Sequence, residues 1–241
     1  MSMGPRHGGN IAFVKRVIAI IPALNEEAAI GLVLAEIPGV VSETIVVDNG
    51  SRDGTAEVAR SRGARVVHEP RRGYGQACLA GIEAARGADV LVFLDADRSD
   101  YPEQIADVLE PILSGRADLV IGSRQLGRRA AGAQPWHAVL GTRLCVFLMN
   151  ALIGTRATDL GPFRAIRSEA LGRLDMRDRN FGWTVEMQAK AQRAGLRVVE
   201  VPVDYRPRLG RSKISGTLSG SVRAGTKILG RILYHAVAPS A

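Results

Sequence analysis

A mainly parallel α/β fold is what this chain predicts, on three observations. Short β-branched apolar runs alternate with segments of helical length, so the order reads βαβαβαβ. Aromatic residues make up only 5% of the 241 while hydrophobic residues reach 46%, so the core must be built from Val, Ile, Leu and Ala in close layers. Several apolar runs end in acidic or glycine-bearing turns, where sheets of this kind hold ligands.

The first strand is read at 17–24, and Asn25-Glu26 turns it into a helix over 26–37. The second strand, 44–48, stops at Asp48; Gly50, Ser51, Asp53 and Gly54 build a turn, and Thr55 opens a helix to residue 62. A strand at 65–68 leads through Arg71-Arg72-Gly73-Tyr74-Gly75-Gln76 into a helix over 75–85. A strand at 90–95, a helix over 102–113 and a strand at 119–122 complete the series. Repeated crossovers bring the carboxyl ends of the first, second and fourth strands to one crevice.

The formal charge of +8 favours phosphate-bearing partners: a nucleotide, a lipid head group, an anionic membrane or nucleic acid. Cys78 and Cys145, with no Cys-x-x-Cys spacing, argue against a disulfide framework or a zinc site and fit a reducing cytoplasm. Residues 1–14 read as a Gly-rich flexible tail without a signal-peptide core. The most apolar later stretches, 144–153 and 228–238, fall short of the ~20 residues that cross a bilayer, so no span is expected, while surface attachment stays open. No Gly-x-Gly-x-x-Gly follows the first strand and no P-loop occurs, which argues against dinucleotide redox chemistry and P-loop hydrolysis.

The chemistry-bearing triplet is Asp95-Ala96-Asp97, two carboxylates delivered where a buried strand emerges and suited to a hard divalent cation carrying a diphosphate. A turn or helix cap is the plainer alternative. Asp48 lies too early to cap the next helix and can accept hydrogen bonds from a ribose or base, whereas Asp53 and Thr55 suffice for capping. The Arg72-Gly73 entry offers helix amides and a positive dipole end to phosphate.

Val17 to Glu26, Ile45 to Thr55, Arg72-Gly73, Asp95-Ala96-Asp97 and Ile121-Gly122-Ser123-Arg124, in that order, resemble the signature of inverting family 2 glycosyltransferases with a GT-A fold. The likeness continues through Thr158-Asp159-Leu160-Gly161-Pro162-Phe163-Arg164, Gly182-Trp183-Thr184-Val185-Glu186 and Ser212-Lys213-Ile214-Ser215-Gly216, as in the dolichyl- or polyprenyl-phosphate sugar (mannose or glucose) synthases. The Gln-x-x-Arg-Trp motif of processive synthases is absent. The resemblance implies a GT-A domain over 15–212, followed by a C-terminal amphipathic segment over 213–241. It places Pro22, Ala23, Asn25, Glu26, Asp48, Asn49, Gly73, Gln76, Asp95 and Ala96 around the nucleotide. Asp95 and Asp97 would hold magnesium or manganese, Asp97 being the stronger ligand. Asp97, Arg124 and Arg143 would serve the reaction.

Two departures bear on the donor: Asp48-Asn49 replaces a paired acid, making a base or ribose contact neutral, and Arg98-Ser99-Asp100 replaces the sequence common in mannosyl-transferring relatives. UDP-glucose and GDP-mannose both remain as donors. A phosphate acceptor needs no strong base, and Arg124, Arg143, Arg128, Arg208 and Lys213 are candidates to meet it. Asp159 is read as orienting an arginine or contacting sugar, Trp183 and Glu186 as lying near the acceptor; Asp159 or Glu186 would be the base for a neutral hydroxyl.

The helix expected over 135–153 carries Trp136, Leu140, Leu144, Phe147, Leu148 and Leu152 broadly on one side and Arg143 elsewhere, fitting either a membrane interface or core packing. Over 222–237, Arg223, Lys227 and Arg231 form a basic ridge. The expected enzyme is cytoplasmic and peripheral to the membrane face, with any anchor or flippase on another chain. Its rivals are a family relative using a soluble or neutral acceptor, and a basic nucleic-acid-binding protein, which lacks interleaved aromatics.

Overall fold

The computed structural model describes residues 15–210 and 218–237, with side chains of the last helix from residue 225. Lys213 therefore lies outside the described residues, as does the 1–14 segment. Seven strands, β1 (Val17–Ala23), β2 (Glu43–Asp48), β3 (Arg65–His68), β4 (Val90–Phe93), β5 (Leu119–Ser123), β6 (Arg164–Arg167) and β7 (Val198–Pro202), form one sheet in the order β3-β2-β1-β4-β6-β5-β7. Only β6 runs against its neighbours, β4 and β5. The helices are α1 (Glu27–Ala35), α2 (Thr55–Ser61), α3 (Tyr74–Ala84), α4 (Ile105–Leu113), α5 (Trp136–Ile153), α6 (Ser168–Leu174), α7 (Trp183–Arg193) and α8 (Leu218–Val237).

Strand alternation sorts the core into two layers. Val17, Ala19 and Ile21 of β1 and Val90 and Val92 of β4 pack with Ile30, Val33, Ala59, Val108 and Ile112 on the α1/α2/α4 side. Ile18, Ile20, Leu91 and Phe93 face Cys78, Leu171, Trp183 and Met187 on the α3/α6/α7 side. Ala23 stands opposite Asp48 and Ile20 opposite Phe93, so the ends of β1, β2 and β4 converge at the crossover point, as the sequence requires.

A third cluster joins α5, α7 and α8 through Cys145, Val146, Met149, Val185 and Ile232. Several expectations change here. Helix α5 starts at Trp136 and runs 18 residues, so by length and composition alone it meets the requirement for a bilayer span that the shorter stretch 144–153 did not. Its Trp136, Leu140, Leu144, Phe147 and Leu152 are exposed, 78% for Trp136 and 66% for Phe147, so these are not core packing, whereas Leu148 packs against the third cluster. Arg143, three residues after Leu140 and four before Phe147, stands on the same outward face rather than elsewhere. Of the ridge on α8, the Arg223 side chain lies outside the described residues, Arg231 pairs with Asp178, and the exposed Lys227 lies 5.7 Å from the Phe181 ring.

Candidate active site

The first wall of the crevice is a web between two turns. Asn25, at φ 51°, donates its amide to Ser51 Oγ at 2.9 Å and accepts the Arg52 amide on Oδ1 at 2.8 Å. The Glu26 amide meets Thr55 Oγ1 at 2.8 Å, and Asp53 accepts the amides of Thr55 and Glu27 at 3.2 and 3.3 Å. Asp53 thus caps α2 and ties it to α1. Asp48 accepts the Ser51 amide at 3.0 Å and lies 3.1 Å from His68 Nδ1. Burial pushes its pKa up, but the Ser51 bonds and His68 outweigh that and hold it below the usual carboxylate range. Asp48 is therefore an ionised acceptor at the end of β2.

The entry to α3 differs from expectation, because the chain itself seals it. Gly73, at φ 146°, donates its amide to Asn49 Oδ1 at 2.9 Å; the amides of Gly75 and Gln76 bond the carbonyls of Asn180 and Arg179 at 3.3 and 3.0 Å. A Cβ at Gly73 or Gly75 would overlap the backbone at Arg179 or Asp178, so only glycine admits this close approach. The Gly73, Gly75 and Gln76 amides are thus taken up by the chain itself and are not open to a phosphate. Asn49 is also taken up: its Nδ2 donates to the Glu69 and Arg71 carbonyls at 2.9 and 2.7 Å, so it shapes the 69–73 loop rather than reading a base. Gln76 bonds Glu69 at 2.9 Å, and Arg71 holds the Glu69 carboxyl down at about 2. Gly73 and Gln76 are likewise engaged, by Asn49 and Glu69.

At the end of β4 three carboxylates gather. Asp97 Oδ1 accepts the amide and hydroxyl of Ser99 at 2.8 and 2.5 Å, while its Oδ2 pairs with Arg208. Asp100, not singled out from sequence, accepts the Asp95 amide on Oδ2 at 3.2 Å; its Oδ1 is buried without a partner. Burial first, and then the neighbouring carboxylates, push Asp95 far up, and burial with the Asp97 charge lifts Asp100 to about 6. Negative charge is thus crowded into a site that a dication would relieve. Among the described residues no three His, Cys, Asp or Glu side chains make a complete cage. Ala96, between the two acids, is core; Pro22 and Ala23 contribute strand backbone beside them, Ala23 accepting the Asn49 amide.

Beyond the carboxylates lies a buried fork. Arg124 Nε and Nη2 each meet one oxygen of Asp159 at 2.7 Å, and the Arg124 amide adds a third bond at 2.9 Å. Burial disfavours both charges, yet their mutual field and hydrogen bonds outweigh it, raising Arg124 and lowering Asp159. Asp159 is the arginine's orienter. Thr158 in turn is held by Glu200, which accepts its amide at 2.9 Å, and the Arg124 guanidinium lies 5.1 Å over the Tyr205 ring.

Other expectations are redirected. Trp183 is fully buried, 4.9 Å from the Phe93 ring, and belongs to the core rather than the acceptor. Glu186 accepts the amides of Arg177 and Asp178 at 3.1 and 2.7 Å and pairs with Lys190 at 2.8 Å, which makes it a loop clasp. Arg98 points to Glu36 at 3.0 Å, where Arg206 also pairs, so its side chain is committed to that carboxylate. Arg128 is exposed on the loop after β5, its amide held by Asp204 at 2.8 Å. Asp100, Ser99, Glu69 and Tyr205 are the participants that sequence reasoning missed, only Asp100, three residues past Asp97, carrying a local signal; Arg206, expected with Arg208 to meet the acceptor phosphate, is instead paired with Glu36.

The family model described as Glycosyl transferase family 2 matches residues 18–175. An uncharacterized glycosyltransferase of Mycobacterium tuberculosis is 42% identical over 214 residues, 86% of this chain and 94% of its own. The undecaprenyl-phosphate mannosyltransferase of Micrococcus luteus is 36% identical over 220 residues, 85% of this chain and 90% of its own. Among solved structures, glucosyl-3-phosphoglycerate synthase from Mycobacterium tuberculosis in complex with Mn2+, UDP and glucosyl-3-phosphoglycerate is similar at TM-score 0.75 and 25% identity, covering 99% of this chain and 88% of that one.

Proposed function

The chain belongs to glycosyl transferase family 2 and has the GT-A fold, and we propose that it moves a hexose from a nucleotide diphosphate sugar to a polyprenyl phosphate at a membrane surface. One observation carries the choice of acceptor: the two carboxylates that would serve a neutral hydroxyl as base are both engaged elsewhere. Asp159 is forked onto Arg124, and Glu186 clasps the 177–178 amides. A phosphate acceptor is already anionic near neutral pH and needs neither.

The donor lies along the ends of β1, β2 and β4. Asp48 accepts a hydrogen bond from the nucleoside, and the Asn25-Glu26 turn, braced by Ser51 and Thr55, walls that side. Asp97 and Asp95 would hold a magnesium or manganese ion, whose charge would offset that of the departing diphosphate. An acceptor phosphate oxygen attacks the anomeric carbon from the face opposite the nucleotide; the carbon–oxygen bond to the diphosphate breaks, and the nucleoside diphosphate departs with that electron pair. Configuration inverts at the carbon. Arg124, preset by Asp159 and Tyr205, lies on the acceptor side and holds phosphate charge without further ordering.

The exposed stripe of α5 supports the membrane setting. Trp136, Leu140, Leu144 and Phe147 present an apolar face with Arg143 among them, the make-up of a helix lying in a bilayer interface. Its opposite face is packed on α7 and α8, so the helix lies on the membrane with the domain attached rather than crossing it.

Soluble phosphorylated acceptors are the second reading, favoured by the likeness to glucosyl-3-phosphoglycerate synthase. The deciding experiment incubates the protein with labelled UDP-glucose or GDP-mannose, Mn2+ or Mg2+, and either polyprenyl phosphate in vesicles or phosphoglyceric acid. A labelled lipid whose formation is lost in Asp97→Ala is the expected result. Transfer to phosphoglyceric acid with none to lipid overturns the proposal.

A further inference from the structure

The segment after β7 crosses the carboxylate corner as a strap. Its Tyr205 amide bonds the Arg128 carbonyl at 2.9 Å, the Arg206 amide bonds the Ser99 carbonyl at 3.0 Å, and the Leu209 amide bonds the Asp97 carbonyl at 2.9 Å. The Arg206 guanidinium stacks 4.2 Å over the Tyr101 ring, donates to the Arg98 carbonyl at 2.7 Å and pairs with Glu36. These anchors fix the backbone on both sides of Arg208.

Arg208 then occupies a telling position. Ser99 takes Oδ1 of Asp97 with two hydrogen bonds, at 2.8 and 2.5 Å, leaving Oδ2 as the oxygen available to a cation. Arg208 Nη2 sits on that oxygen and lies 3.9 Å from Glu26 Oε1. Its Nε is buried with no hydrogen-bond partner among the described residues.

We propose that Arg208 is the resident counter-ion of Asp97 and makes metal and nucleotide diphosphate bind as a unit. The inference rests on the reading of Asp97 as a metal ligand. A metal ion arriving alone must displace the guanidinium from Asp97 Oδ2 and leave it beside the incoming charge with only the more distant Glu26 carboxylate, 3.9 Å away, to offset it. Arriving with a diphosphate, it gives Arg208 new acceptors, including one for the idle Nε, so the displaced arginine closes on the leaving group. The two ligands then strengthen each other by a common factor, as linkage requires. Part of that factor comes from direct bonds between diphosphate oxygens and the metal; Arg208 supplies the remainder.

The test titrates the intact protein with Mn2+, following the free-ion electron paramagnetic resonance signal, with and without saturating UDP or GDP. In Arg208→Gln, Mn2+ alone should bind about tenfold more tightly than to the natural protein, and the factor gained on adding nucleotide should fall about tenfold or more. Arg208→Lys keeps a point charge on Asp97 and should stay within about threefold of the natural protein in Mn2+ affinity without nucleotide. Unchanged Mn2+ affinity in Arg208→Gln, with an unchanged nucleotide factor, overturns this inference alone. So does a variant that loses only nucleotide affinity measured without metal. A natural protein that fails to bind Mn2+, both without nucleotide and with UDP or GDP present, overturns the inference together with the donor site on which it rests.

Discussion

Replacing Asp159 by Asn removes one charge and no volume, and its consequence can be worked from the fork. The Asp159 carboxylate accepts four hydrogen bonds, from the amide, Nε and Nη2 of Arg124 and from the Leu160 amide, at 2.7 to 2.9 Å. An Asn side chain keeps one acceptor and turns the other towards Arg124 as a donor, leaving a buried guanidinium without its counter-charge. Breaking a buried pair on one side costs about 3–5 kcal/mol. At about 2–4 °C per kcal/mol for a chain of this size, the melting temperature should fall by about 6–20 °C. Removing the stranded charge as well should recover stability: Arg124→Met/Asp159→Asn should be more stable than Asp159→Asn, with a coupling of about 2 kcal/mol in a double-mutant cycle read by urea unfolding. The sign with pH follows from the lowered pKa of Asp159. A depressed carboxylate contributes stability above its unfolded value, near 3.9, and loses it as pH falls through the folded value, so the gap between the natural protein and Asp159→Asn should narrow on acidification. All three variants should lose transfer activity. Additive costs in the cycle, or lost activity without lost stability, would refute the orienting role and return Asp159 to direct chemistry.

The carboxylate corner gives an opposite pH sign. Asp100, lifted to about 6, is protonated in the folded metal-free protein between its unfolded value and that pH, so it costs stability as pH rises through that window. Asp100→Asn should therefore raise metal-free stability at pH 8 by about 1–3 kcal/mol and leave it nearly unchanged at pH 4, measured by thermal unfolding with chelator present. Glu186→Gln should cost about 1–3 kcal/mol through the 177–178 amides while kcat on lipid acceptor stays within about twofold; a large fall in kcat at normal stability would make Glu186 the base. Leu144→Asp/Phe147→Asp should weaken binding to vesicles about a hundredfold or more while transfer to a short detergent-soluble polyprenyl phosphate persists. Vesicle flotation reads the first quantity and product formation the second.

The parts of this molecule legible in its sequence are those set by short-range patterns. Apolar runs ending at Asp48 and at Asp95-Ala96-Asp97 identified β2 and β4 and the corner between them, because a parallel sheet buried on both faces demands continuous β-branched residues. The strands β6 and β7 escaped notice: Arg164-Ala165-Ile166-Arg167 is too short and too charged to read as a strand. It becomes one only because β4 and β5 offer it ladders on both edges. The sealed entry of α3 escaped for a related reason. Gly73 and Gly75 look like a phosphate cradle until the 178–180 backbone, about a hundred residues on, fills it.

Basic residues were the harder case, since a surplus of +8 makes every arginine look like a phosphate ligand. Tertiary pairing decides among them. Arg98 and Arg206 converge on Glu36, the latter across 170 residues, Arg231 is held by Asp178, and Arg124 is forked by Asp159. An arginine with a committed carboxylate can position or brace, but it can meet a substrate phosphate only with whatever donors the pair leaves over. Arg124 retains Nη1 beyond its two-bond fork and is fixed by it, which suits a static phosphate holder. Arg208 is bound to Asp97 through one nitrogen with Nε idle, which suits a group that changes partner during binding. The difference between a preset and an exchangeable guanidinium thus lies in how many donors its native partner takes, a quantity set by the fold and invisible in charge or spacing.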